Sequence, residues 1–115
     1  MHKTRISLDP KMRRKVIAEL QGSLADGIDL LLQVKHAHWN VKGPNFIALH
    51  ELFDSIHATV VGHVDDLAER ITALGGVADG LTRSVVARSR LAAYPARAQS
   101  GTDHVDAIAA ALARF

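Results

Sequence analysis

Cysteine is absent from the 115 residues, so disulfides, thiolate metal sites and cysteine nucleophiles are excluded together. Aromatic residues are scarce at 4%, with one Trp, one Tyr and three Phe. Set beside 48% apolar residues, this scarcity argues for packed helices rather than a β-sandwich. No apolar run approaches the roughly 18 residues that a membrane span needs, and no signal-peptide pattern opens the chain. The expectation is one soluble, cytoplasmic domain over residues 1–115, with a modest core that would gain from self-association.

Charge is unevenly spread. Residues 1–15 hold six basic groups (Lys3, Arg5, Lys11, Arg13, Arg14, Lys15) against one acid, Asp9, while the rest of the chain is mildly acidic. Residues 1–8 read as a basic N-terminal arm. Such a stretch either contacts phosphate backbones without reading sequence or is simply a solvated helix start.

Ser7 or Asp9 can cap a first helix, with Pro10 in its first turn. Val16, Ile17, Leu20, Leu24, Ile28, Leu31 and Leu32 then recur at helical spacing, and the stripe runs on to His38. The run 40–45 is a turn, with Asn45 placed to cap a second helix. That helix steps through Phe46, Leu49, Phe53, Ile56, Val60, Val64, Leu67, Ile71 and Leu74 to Gly75-Gly76. So short a link between long helices implies an antiparallel hairpin. Residues 77–101 lose the period and read as a crossover, with a short helix near Ser84–Leu91. A third long helix begins at Thr102, with Val105, Ile108, Ala109 and Leu112 as its apolar face. No cap closes it at Phe115, so the helix reads as cut short.

Within the stretch from His38 to Glu69, His38, His50, Asp54, Asp65 and Glu69 are the nitrogen and carboxylate donors that an iron site needs. With His50 at zero on a helical wheel, Asp54, Asp65 and Glu69 fall within about 100° of it, beside the core face. The alternative is a solvated acidic flank. The His50/Asp54 and Asp65/Glu69 pairs are about 22 Å apart along the axis, too far for one metal centre. A two-fold axis near residue 59 or 60 would lay a second copy antiparallel and bring the unlike pairs together twice. Two histidines and three carboxylates without a thiolate suit iron better than structural zinc.

The segments AHWNVKGPNFIALHELFD and HVDDLAERITALGG, with Tyr94-Pro95 closing the crossover, resemble the Dps proteins, the DNA-binding proteins from starved cells. The resemblance implies an all-α, ferritin-like antiparallel helical bundle, here with the third helix cut short and the fourth absent. It implies dodecameric cages built on two-fold dimers, which oxidise Fe(II) with hydrogen peroxide and store ferric iron. By the matching motif, His38, His50 and Asp54 would come from one subunit, and Asp65 and Glu69 from its mate. Asp54 and Glu69 would be direct or bridging ligands, and Asp65 a ligand or an orienting group. Trp39 would take up an electron or radical equivalent, or else anchor the hairpin turn. Non-specific DNA binding through the basic stretch and a place at the nucleoid are also implied. Outside the motif, His57 lies close to the two-fold and can meet its own mate. His36 and His63 have no assigned part, while His2 and His104 are expected at the surface. The rival reading is non-enzymatic: a nucleoid-coating protein whose relevant act is to bind DNA.

Overall fold

The computed structural model describes residues 1–115 and is all-helical: α1 Pro10–Asn40, α2 Phe46–Ala73, α3 Thr82–Arg88 and α4 Gly101–Arg114. α1 starts as its sequence dictates. Asp9 accepts from the backbone N–H of Lys11 at 2.9 Å and of Met12 at 3.1 Å, and Pro10 occupies the first turn. The helix ends two residues beyond His38, at Asn40, and the chain reverses through Gly43, whose φ is +113°. Asn45 makes no side-chain cap, contrary to expectation; the Phe46 N–H bonds the Gly43 carbonyl at 3.1 Å instead.

α1 and α2 form the expected antiparallel hairpin, and α4 lies along α1. Leu30, Val34, Ala37 and Val41 of the α1 end meet Phe53 and Val60 of α2 and Ile108 and Ala111 of α4 in one buried cluster. The α2 stripe is only partly covered. Phe53, Val60, Ile71 and the following Leu74 are buried, whereas Ile56 and Leu67 line an open groove with Leu112 and Phe115. Leu32, placed in the buried stripe of α1 by its spacing, is 61% exposed.

Gly75 closes α2 at φ +89°, a left-handed conformation that glycine takes without a Cβ penalty. Its N–H bonds the Thr72 carbonyl and that of Gly76 bonds Ile71, both at 2.9 Å, which satisfies two terminal carbonyls. Others are met from the N-terminus. The Thr4 hydroxyl donates to Ala73 at 2.7 Å, the Arg13 guanidinium to Leu74 at 3.1 Å, and the His2 N–H to Gly75 at 2.7 Å. The arm is therefore laid against the end of α2.

The crossover, where hydrophobic periodicity fails, is fixed by polar bonds to α1. Gln21 bonds both backbone groups of Asp79, at 2.7 and 3.1 Å. Asp29 accepts from the Ser89 hydroxyl at 2.6 Å, and Gln33 donates to the Ala92 carbonyl at 3.2 Å. Asp26, only 2% exposed, accepts from the Arg90 N–H at 2.7 Å and from its guanidinium at 3.0 and 2.7 Å. α3 falls at Thr82–Arg88, slightly before the expected stretch.

α4 begins one residue earlier than expected, at Gly101, behind a capping box in which Ser100 and Asp103 bond each other's backbone. Gly101 allows a close approach to α2, since a Cβ there would lie 2.6 Å from Leu49 Cδ1. The buried face of α4 is His104, Ile108 and Ala111, while Val105 and Leu112 are 40% and 37% exposed. The helix is thus turned from the expected face, and His104, expected at the surface, is fully buried at 0%. Its imidazole bonds the Tyr94 hydroxyl.

His104 has a folded-state pKa held below the ordinary histidine value, first by burial and then by His36, with Asp103 opposing. The unfolded chain therefore takes up a proton before the native one does. Stability should be level above about pH 6.5 and fall as pH drops below it. Thermal midpoints between about pH 7.5 and 5 should show this slope in the wild type and a shallower one in His104→Gln.

Candidate metal centre

His38 sits in the last turn of α1 and His50 in the second turn of α2, so the hairpin itself brings them together. Each ring bonds the other residue's backbone: His38 Nδ1 to the His50 carbonyl at 2.6 Å, and His50 Nδ1 to the His38 carbonyl at 2.7 Å. A carbonyl only accepts, so both Nδ1 atoms carry a proton, and Nε2 is the nitrogen of each ring that a metal could take. The rings are stacked, 3.7 Å between centroids and 16° from parallel, and both are half-buried. Phe46 lies 5.0 Å from the His50 ring and covers one side of it. A neutral imidazole with Nδ1 tied to a carbonyl and Nε2 free is the state in which histidine binds a metal.

Asp54, one turn on from His50, is exposed and paired with Lys35 at 2.5 Å. The Lys35 hydrogen bond holds its carboxyl below the usual carboxylate range, against a desolvation that pushes up; the Lys35 charge, His38 and His57 add to the lowering. A carboxylate poised against an ammonium has the charge to hold a metal ion, and any ion there competes with Lys35. Sequence reasoning passed over Lys35. The available signal was its place three residues before His38, on the same flank of α1.

Asp65 and Glu69 are exposed on α2, well down the helix from His50, and take no part in the three ion pairs of the chain. Within one chain no three His, Asp or Glu side chains come together as a metal site. The fold thus holds two half-sets of donors apart, the histidine half near the hairpin turn and the carboxylate half further along. Trp39 stands beside His38 and is 67% exposed.

Of the basic stretch, Lys3, Arg5, Lys11, Arg14 and Lys15 are exposed. Arg13 is not. It is half-buried and spends its guanidinium on the Leu74 carbonyl, so it serves the α2 terminus and is not presented to a phosphate. No helix is long and apolar enough to cross a membrane.

A helical hairpin, a polar crossover and a further helix, with imidazole and carboxylate donors along the hairpin, define a ferritin-like protein. The ferritin-like domain family matches residues 17–115. A DNA protection during starvation protein of Agrobacterium fabrum is 45% identical over 107 residues, 93% of this chain and 66% of that relative. The structure of Mycobacterium smegmatis Dps superposes with a TM-score of 0.90 at 33% identity, over 97% of this chain and 69% of that one. A Dps protein of Streptomyces coelicolor gives 0.89 at 36% identity, over 96% and 66%. The chain belongs to the Dps family of the ferritin-like superfamily. It spans 66% or less of the length of the curated relatives first matched.

Proposed function

We propose that two copies of this chain, antiparallel along α2, build two equivalent iron sites that oxidise Fe(II) with hydrogen peroxide. His38, His50 and Asp54 of one copy face Asp65 and Glu69 of the other. Iron is the substrate of the site and becomes its stored product. The carrying observation is the reciprocal bonding of His38 and His50, at 2.6 and 2.7 Å, which ties up both Nδ1 atoms and leaves Nε2 of each stacked ring as the nitrogen for a metal. Asp54 and Glu69 supply anionic oxygen, which favours Fe(III) over Fe(II), and Asp65 binds or orients. Two Fe(II) held together give peroxide two electrons, yielding two Fe(III) and two hydroxides. A lone Fe(II) gives one, yielding a hydroxide and a hydroxyl radical. Pairing the irons is therefore what protects nearby DNA.

Assembly into a dodecameric cage and storage of ferric iron extend this reading, as does non-specific DNA binding by Lys3, Arg5, Lys11, Arg14 and Lys15. What supports the last is their exposure; binding should then fall steeply with salt.

The test combines light scattering with Fe(II) oxidation on one sample. The expected result is a particle of at least twice 12.4 kDa that consumes one peroxide per two Fe(II). A monomer that oxidises iron at the same stoichiometry would overturn the shared site. An oligomer that releases spin-trappable hydroxyl radical as it consumes iron and peroxide, or oxidises no faster than buffer, would overturn the paired-iron chemistry.

A further inference from the structure

The chain has one tyrosine, one tryptophan and no cysteine, so few side chains can yield a single electron. The tryptophan is open to solvent. The tyrosine is built into a polar cluster instead. The Tyr94 hydroxyl bonds His104 Nδ1, and the two rings stack with centroids 5.8 Å apart. His36 meets the Tyr94 ring edge-on at 4.9 Å. His104 is 0% exposed, and its Nε2 is buried with no partner. A buried ring nitrogen without a partner is costly to keep, which makes it a candidate for a chemical role. Burial and the nearby Asp103 push the Tyr94 hydroxyl up to about 12, and burial with His36 keeps His104 neutral. At neutral pH the bond therefore runs from phenol O–H to a free imidazole base.

The cluster lies near the candidate iron site. The Lys42 N–H bonds the Gln99 carbonyl at 3.0 Å, and α4 starts against Leu49, the neighbour of His50. His36, which meets Tyr94, and His38 lie on opposite flanks of the same turn of α1, so the helix itself stands between the two groups.

We propose that Tyr94, with His104 as its proton acceptor, is an internal one-electron donor that quenches radical oxidants arising at this end of the bundle. A hydroxyl-type radical takes one electron from the phenol and leaves as hydroxide. The Tyr94 O–H bond breaks and its proton forms an N–H bond at His104 Nδ1, giving a neutral tyrosyl radical and an imidazolium. One further Fe(II) returns the electron, becoming Fe(III), and His104 returns the proton. His36 and Asp103, the other titratable groups facing the pair, respectively oppose and favour the imidazolium.

The test needs no iron, so its outcome is separate from that of the iron-oxidation reading. Azide radicals generated by pulse radiolysis oxidise the Trp39→Phe chain, in which Tyr94 is the remaining one-electron donor among the aromatic side chains. A tyrosyl absorbance should appear, with a solvent deuterium isotope effect on its formation, and Tyr94→Phe should abolish it. His104→Gln keeps a hydrogen-bond acceptor but no base, and should slow radical formation by about 10²-fold. Unchanged formation in a folded His104→Gln chain would overturn the proposal. So would a formation rate in the Trp39→Phe chain that stays flat while acid protonates His104, a measurement that does not depend on that variant folding.

Discussion

Chains carrying His50→Ala and chains carrying Glu69→Ala should each lose iron oxidation by about 10²-fold or more, yet regain it when unfolded and refolded together. In a mixed dimer one site receives both lesions, and the other pairs an intact His38/His50/Asp54 set with an intact Asp65/Glu69 set. Random pairing makes half the dimers mixed, so an equal mixture should recover about a quarter of wild-type sites. No mechanism within one chain gives that figure, because every chain in the mixture is defective. Neither residue is buried in the core, so helix content should be unchanged in both parents. A mixture no more active than its parents would sink the shared site. Recovery near a quarter would establish both the two-fold arrangement and the two halves of the ligand set.

The sequence was most informative where one face of a helix repeats against one core. The α2 stripe from Phe53 to Leu74, the Asp9 cap and the Gly75-Gly76 stop could all be read from spacing and backbone chemistry. The site was legible in part. His38 and His50 lie either side of a short turn, so any hairpin brings them together. Their reciprocal Nδ1 bonds to carbonyls depend on how the two helices cross, which no residue pattern encodes. Lys35 was missed for a related reason: an isolated lysine reads as solvated until a facing helix supplies Asp54. The rotation of α4 was also hidden. Val105 and Leu112 are the more apolar choice, but His104 faces inward and bonds Tyr94, a tertiary partner that the apolar spacing of α4 does not name. The crossover looked unstructured because its order comes from side chains on another helix. Gln21, Asp26, Asp29 and Gln33 read as polar residues on α1 until the segment they hold is present.

Those anchors carry the largest expected effect on stability. Asp26 is 2% exposed and takes three hydrogen bonds from Arg90. Replacing Arg90 by Met keeps much of the side-chain volume but leaves the carboxylate in the protein with only one backbone N–H. Breaking a buried pair from one side costs about 3–5 kcal/mol; with Arg90 itself 45% exposed, water can reach the gap, and a loss of about 3 kcal/mol is expected in urea unfolding. The double change Asp26→Leu with Arg90→Met removes the stranded charge as well. It should recover most of the loss, short of about 1 kcal/mol for the orphaned Arg90 N–H. If the single and double variants are equally unstable, the pair acts through packing and not through charge. Native-state hydrogen exchange should place the loosening in residues 89–94, because Arg90 fixes the register in which the crossover delivers Tyr94 to His104. The same variant should then shorten the lifetime of a Tyr94 radical while leaving the His38/His50 pairing, which the hairpin alone maintains, intact.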